Sequence, residues 1–353
     1  MAGMRELLQH VKDQGGSDLH LASGLEPRIR RHGALEPVPG WTPLDDSRIS
    51  ELLREVATGG QWEEYQRHHD LDFAYGIEGL GRFRVNYSCQ LNGASAVFRL
   101  IPETITTLEE LDMPKSIAGL AEVRSGLILL TGPTGSGKST TLAAIIDRIN
   151  SNSCRHIVTI EDPVEFVHRN KRSRFSQREV GSDTESFSGA LRAAIRQDAD
   201  VIMVGEMRDL DTIALALTAA EMGALVFGTM HTNGAANTID RLIDAFPAEE
   251  QAQIRTTLSE SLAAVVSQQL LRTADGRGRC AVVEILLKTP ALPNVIREGN
   301  TPMIQTIMQG GRALGMVMLD DALAARVEAK QVTPRDAYLK ANNKARFESL
   351  IDD

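Results

Sequence analysis

The segment GLILLTGPTGSGKSTTLAAIIDRI, beginning at Gly126, constrains this chain more than any other. It holds Gly132, Gly137, Lys138 and Ser139 in the spacing G-x-x-x-x-G-K-[ST]. Glycines so placed let successive backbone N–H groups turn inward onto phosphate oxygens, while the lysine neutralises β/γ charge and the hydroxyl can ligate Mg²⁺. Gly132, Pro133, Thr134, Gly135, Ser136, Gly137, Lys138, Ser139 and Thr140 are therefore the candidate ATP contacts. An apolar run, Leu127 to Leu130, precedes the loop and the helix-like TTLAAIIDRI follows it. That strand, loop and helix order argues against a glycine-rich turn that binds nothing.

Three more apolar runs, HIVTIED, ADVIMVGE and ALVFGTMHT, are separated from it and from each other by long helical stretches. Continuous apolar strands with helices between them predict a parallel sheet covered on both faces. Ligands of such sheets sit beyond the carboxyl ends of the strands. The phosphate loop, Glu161 with Asp162, Glu206 and His231 should then share one crevice. Carboxylates beside a triphosphate repel it unless a divalent cation or a water lies between. Glu161 is thus the candidate to orient or deprotonate the attacking water, and Glu206 the candidate to hold Mg²⁺ through its hydration shell, with Ser139 as the other metal contact. The competing explanation has Glu161 and Asp162 capping a turn at Pro163, with Glu165 solvated. It suffices for Glu165, and Asp162 stays open between the two. His231 is either a satisfied core histidine or a hydrogen-bonding sensor of the γ-phosphate.

The length of 353 residues exceeds what one core usually serves. A formal net charge of −9 and 4% aromatic residues argue against a nucleic-acid partner, which would call for surplus Lys and Arg and for stacking platforms. Cys89, Cys154 and Cys280 form no CxxC pair, so neither a disulfide framework nor a zinc site is expected, and a reducing compartment fits. The N-terminus lacks a signal-peptide core, and no apolar run approaches the roughly 20 residues that span a bilayer, so a cytoplasmic protein is expected.

Residues 1–100 read as a small α+β unit: a first helix, the segments DLHLA and RIRRHGALEPV, a helix at DDSRISELLREVA, then a meander of DLDFAYGI, RFRVNYSCQL and ASAVFRLI. Residues 101–117 read as a polar connector, and 118–353 as an α/β domain that is mostly helical from about residue 285. Within it IRTTLSESLAAVVSQQLL is expected as a core or interface helix. In RHHDLD, His68 and His69 are read on a strand, facing opposite ways and unable to share one ion. Arg169, Lys171, Arg172, Arg174 and Arg178 in HRNKRSRFSQR are read on a surface loop, either solvated or facing a neighbouring subunit or an acidic partner.

GPTGSGKST, TIEDPVEF, VIMVGEMRD and TMHTNGAANTIDR resemble the Walker A, Asp box, Walker B and His box of secretion and type IV pilus ATPases. GGSDLHL, RFRVN, FRLIP and QREVG make the chain most similar to the PilT-type pilus retraction branch. The resemblance covers almost the whole chain. It implies a PAS-like N-terminal domain, a RecA-like P-loop ATPase domain and a homohexamer binding ATP between the two. It further implies a motor peripheral at the inner-membrane pilus base, handing motion to the platform protein. Arg84 in RFRVN and Arg99 in FRLIP match arginines that such rings direct at nucleotide phosphates. Without the resemblance both read as solvent-face residues of the meander. Assembly and type II secretion ATPases usually carry a longer N-terminal extension and a tetracysteine zinc element, and neither pattern is present here. One segment departs from the retraction pattern A-I-R-N-L-I-R-E-G-K: ALPNVIREGN has Pro293 for the first arginine and Asn300 for the lysine, keeping Asn294, Ile296, Arg297, Glu298 and Gly299. Proline suits only a first helical turn, so a later helix start is expected. The departure leaves open whether the chain is a retraction motor or a PilU-like accessory or regulatory ring component working with another pilus ATPase, and a secretion-system traffic ATPase of the same superfamily is the third alternative.

Overall fold

A computed structural model describes residues 3–31, 34–102 and 104–351. It divides into two compact units, Met1–Thr104 with Pro163–Val167, and Ile105–Asp162 with His168–Asp353. Of the expected segment RIRRHGALEPV, His32 and Gly33 lie outside the described residues.

In the first unit, helix α1 (Met4–Asp13) places Met4, Leu7, Leu8 and Val11 on one stripe, the i, i+3, i+4, i+7 spacing that buries one helix face. Strands β1 (Asp18–Ala22), β2 (Arg28–Arg31) and β3 (Ala34–Pro37) follow. Helix α2 (Asp46–Arg54) is capped by Asp45, which accepts the Arg48 N–H. Helix α3 (Gly59–His68) opens on a capping box between Thr58 and Gln61. The meander is β4 (Asp70–Ile77), β5 (Gly81–Gln90) and β6 (Gly93–Ile101). The strands form one antiparallel sheet ordered β3-β2-β1-β6-β5-β4. Alternation in β5 sends Phe83, Val85 and Tyr87 into the helical side and Arg84 and Asn86 to the other. Tyr87 is wholly buried, and its hydroxyl donates to the Leu53 carbonyl at 3.0 Å.

The second unit begins with the short helix α4 (Lys115–Gly119), strand β7 (Gly126–Thr131), helix α5 (Lys138–Asn152), strands β8 (His156–Glu161) and β9 (Arg174–Glu179), and helix α6 (Phe187–Arg196). Then come β10 (Val201–Val204), α7 (Leu210–Glu221), β11 (Leu225–Met230), α8 (Ala235–Asp244) and α9 (Gln251–Ser261). Strands β12 (Leu262–Arg272) and β13 (Arg279–Leu287) precede the helices α10 (Leu292–Arg297), α11 (Met303–Gly310), α12 (Leu319–Glu328), α13 (Pro334–Lys340) and α14 (Ala345–Glu348). The sheet order is β13-β12-β7-β11-β10-β8-β9, parallel throughout except for β13 against β12. Every residue of β7, β10 and β11 is buried. Each large aliphatic side chain there contributes about 1.5–3 kcal/mol by leaving water.

Three expectations are corrected. The run LAAVVSQQLL is strand β12, not a continuation of α9. A short apolar run with adjacent valines fits either period, and the open side of β7 decides it. His68 ends α3 and His69 is its left-handed cap at φ 61°, so neither histidine lies on a strand. The basic run is a loop only as far as Ser173; Arg174 opens β9, an edge strand parallel to β8. Lys171 pairs with Asp147 at 2.7 Å, and Arg178 donates to the Asp183 carbonyl at 2.9 Å, so these charges serve their own unit. Pro293 stands in the first turn of α10, as its missing N–H requires.

His168 is buried and stacks on Phe175 with ring centroids 4.5 Å apart. Burial pushes its imidazole from 6.5 down to about 4. The unfolded chain therefore takes up a proton, between those two values, that the folded unit refuses. Stability from this group is full above pH 6.5 and falls as pH drops toward about 4, by about 3 kcal/mol. Denaturant titrations of the parent and of His168→Gln should diverge across that window, the variant losing less; parallel pH profiles would show that His168 is not the buried neutral group.

Candidate nucleotide site

β7 ends at Thr131 and the chain turns through three glycines at positive φ, Gly132 (138°), Gly135 (77°) and Gly137 (85°), before α5 starts at Lys138. Gly132 is also required by space, and Gly137 leaves room for the Gln268 side chain. A Cβ on Gly132 would stand 2.1 Å from the Gln268 carbonyl oxygen, and one on Gly137 2.9 Å from Gln268 Nε2. Lys138 is buried and donates to the carbonyls of Gly132 (2.8 Å) and Pro133 (3.1 Å). Ser136 is buried and its hydroxyl finds no hydrogen-bond partner, while Pro133, Thr134 and Gly135 are exposed. Ser139 and Thr140 lie half-buried in the first turn of α5. A cradle of turned backbone, one ammonium and one orphan hydroxyl suits a polyphosphate.

Because β7, β11, β10 and β8 are adjacent and parallel, their carboxyl ends lie along one edge. Glu161 ends β8, only 6% exposed. Its Oε1 accepts the Thr159 hydroxyl at 2.7 Å and Gln177 Nε2 at 3.1 Å, which fixes the carboxylate's direction. Glu206 stands two residues beyond β10. Gly205 permits its approach, since a Cβ there would meet Glu161 Cα at 3.3 Å. Glu206 Oε1 is paired with Arg208 Nε and lies 2.9 Å from His231 Nε2. Burial raises the Glu206 carboxyl, but Arg208 and His231 outweigh it and hold the group below the usual carboxylate range. It stays an oxygen-donor anion, the kind of ligand that Mg²⁺ takes. His231 is exposed, so it is not a packed core histidine. Asp162 and Glu165 are both exposed.

In the first unit Arg84 and Arg99 are direct cross-strand partners on the face opposite the helices. Like charges in register repel, and acidic neighbours relieve them. Arg99 Nε donates to Asp18 at 2.8 Å, and Arg84 Nε lies 3.7 Å from Asp72. Asp18 is buried beneath Arg99 and Arg30, also its register partners. Burial raises its carboxyl, yet the Ser17 hydroxyl and Arg99 together bring it below the usual range. Both guanidinium groups remain substantially exposed.

Two contributors escape the motif reading. Arg208 follows Glu206 and pairs with it. Gln268 of β12 is 1% exposed and ties the second half of the loop to the first turn of α5, donating Nε2 to the Ser136 carbonyl at 2.8 Å and accepting the Thr141 hydroxyl at 2.8 Å. The available signal was three polar residues, Ser267, Gln268 and Gln269, inside an otherwise apolar run.

A buried strand, a glycine loop closed by lysine and serine, a helix, and acids at the ends of neighbouring parallel strands define a RecA-like P-loop ATPase domain. The chain belongs to the type II/IV secretion system protein family, which it matches over residues 7–335. The type IV pilus retractation ATPase PilT of Pseudomonas aeruginosa is 48% identical over 336 residues, 95% of this chain and 97% of the relative. The type IV pilus ATPase PilU of the same organism is 40% identical over 338 residues, 96% of this chain and 88% of the relative. The crystal structure of the pilus retraction motor PilT with bound ADP is similar at a TM-score of 0.92 and 38% identity, covering 99% of this chain and all of that one. The present chain is accordingly an ATP-binding ATPase with a smaller N-terminal α+β domain of PAS-like type.

Replacing Gln268 by Ala leaves the Ser136 carbonyl and the Thr141 hydroxyl without their buried partner. ATP affinity measured calorimetrically should fall on the order of tenfold. An unchanged dissociation constant would mean that the loop holds its shape without the clamp.

Proposed function

We propose that this chain is a type IV pilus retraction motor, a homohexameric ring that hydrolyses Mg-ATP and drives twitching motility. The observation that carries the reading is the convergence of Glu161, Glu206 and His231 on the edge where the phosphate loop begins, in a chain 48% identical to a pilus retraction ATPase over nearly its full length. The loop Gly132 to Thr140 binds the phosphates, with Lys138 neutralising their charge. Glu161, held by Thr159 and Gln177, orients the attacking water and accepts its proton. His231 contacts the γ-phosphate and reports its presence through its link to Glu206. Ser139, and Glu206 through water, would hold Mg²⁺, which when bound neutralises charge developing on the phosphates. Arg84 and Arg99 supply positive charge to a bound nucleotide in the assembled ring.

Among the described residues no helix is long and apolar enough to cross a membrane. The reading places the ring in the cytoplasm, peripheral to the inner membrane at the pilus base and acting on the platform protein there. The exposed polar face of α10, where Asn294 donates to Glu298 at 2.9 Å beside Arg297, is a surface suited to transmit motion. The substitutions Pro293 and Asn300 in that segment favour a second reading, an accessory ring component that works beside another pilus ATPase. A secretion-system traffic ATPase is the third, with the same chemistry.

Glu161→Gln should retain ATP binding and lose about 10²- to 10⁴-fold in kcat, measured by phosphate release; hydrolysis at the parent rate would remove Glu161 as the base. Deleting the gene separates the roles. Excess surface pili by electron microscopy with twitching lost is the result for a retraction motor. Fewer pili would indicate assembly, and unchanged pili an accessory or secretion role.

A further inference from the structure

Glu284 is a buried carboxylate that the chemistry above does not use. It projects from β13, 6% exposed, and its Oε1 accepts the N–H of Ala235, the first residue of α8, at 2.7 Å. The backbone N–H of Leu319, the first residue of α12, faces the same carboxylate, and the next residue of β13, Ile285, pairs with Val317 just before α12, donating its N–H to the Val317 carbonyl at 2.8 Å and accepting the Val317 N–H at 3.1 Å. Its register partner on β12, Ser267, accepts the N–H of Gly234 through Oγ at 2.9 Å. Two neighbouring strands thus hold the two N–H groups that close the loop leading from His231. Burial pushes the Glu284 carboxyl above its usual range and the two N–H donors pull the other way. A carboxylate at this depth is costly unless such donors compensate, and two helix N-termini add favourable dipole charge.

The two helices have different surroundings. α8 begins four residues after His231, and its Thr238 hydroxyl bonds Thr232 at 2.7 Å, the Gly234 carbonyl at 2.7 Å and, more weakly, Thr131 at the end of β7 at 3.5 Å. The start of α8 is therefore fixed to the strand that feeds the phosphate loop. α12 is the hub of the C-terminal helices. Asp320 accepts the N–H groups of Asn342 (2.8 Å) and Asn343 (2.9 Å), and Asp321 accepts Arg312 (2.5 Å) and Arg346 (2.7 Å). Val317 and the start of α12 thereby join β13 to both ends of the C-terminal layer.

We propose that Glu284 is a positioning residue with two effects: it holds the His231 loop in place for hydrolysis, and it carries displacements of that loop to α12 and the C-terminal helices. The proposal rests on the reading of His231 as the γ-phosphate contact. Coupling of this kind requires rigid parts sharing a joint, and a strand that holds the start of α8 through Glu284 and the lead-in to α12 through Ile285 is such a joint.

The test is steady-state ATP hydrolysis by the full-length assembled chain for Glu284→Gln, His231→Ala and the double variant, with melting temperatures recorded. Glutamine keeps one acceptor oxygen but loses the charge and the second oxygen, so the N–H groups facing the carboxylate are held less firmly. The expected result for Glu284→Gln is a KM for ATP within about twofold and a kcat lowered about tenfold, as for a misplaced catalytic group. The double variant should be no slower than His231→Ala alone. A parent-like kcat in Glu284→Gln, or losses that multiply in the double variant, would overturn the proposal while leaving the His231 reading intact. A parent-like rate for His231→Ala would instead remove that reading, and the proposal with it.

Should Glu284→Gln fail to fold, hydrogen exchange on the unaltered chain gives a second readout. The amides of Ala235 and Val317 should change protection together when a non-hydrolysable Mg-ATP analogue is added. A response at Ala235 with none at Val317 would overturn the coupling.

Discussion

The parallel ladder of β12, β7, β11, β10 and β8 is the constraint on which the second unit depends. Parallel pairing puts all the carboxyl ends on one edge, and burial on both faces leaves that edge as the place where polar groups can emerge. The phosphate loop, Glu161, Glu206 and His231 follow these strands by none to two residues. Their proximity is thus a consequence of backbone hydrogen bonding, and the side chains need only short reaches to meet. Glycines complete the approach: Gly205 brings Glu206 beside β8, and Gly228 makes room for Met207, whose sulfur a Cβ there would meet at 2.2 Å.

β12 serves both faces of that ladder through consecutive residues. Period-two alternation points Ser267 toward the start of α8 and Gln268 toward the phosphate loop. One strand therefore sets the position of two loops at the nucleotide edge, and β13 adds Glu284 on the Ser267 side. The result is a nucleotide edge buttressed from behind by polar groups in a layer that is otherwise apolar. Such groups hold geometry closely because leaving any of them unpaired is expensive.

The sequence revealed the parts whose information is local. Spacing, with an apolar run before it and a helical pattern after it, marked the phosphate loop, and apolar runs closed by acids put Glu161 and Glu206 at strand ends. The meander was legible because β4, β5 and β6 alternate cleanly and turn at short glycine-bearing links. What escaped depended on distant partners. β12 was read as helix because AAVV satisfies both periods and only β7 beside it selects the strand. Helix α3 escaped because it buries little beyond Tyr65 and so shows no clear stripe. Gln268 and Glu284 carry no motif, and their partners lie 132 and 49 residues away. His231 was open between core and site until its exposure and its contact with Glu206 placed it at the edge.

The central claim is that the acids ending β8 and β10 surround the γ-phosphate, with Glu161 as the base. A crystal structure of the chain with Mg²⁺ and a non-hydrolysable ATP analogue tests it most directly. The account predicts a water about 3 Å from the Glu161 carboxylate and in line with the γ-phosphate, with Glu206 on the metal's hydration shell. A nucleotide bound in the loop with no water between Glu161 and the γ-phosphate, and with Glu206 still turned to Arg208 and His231 alone, would contradict it.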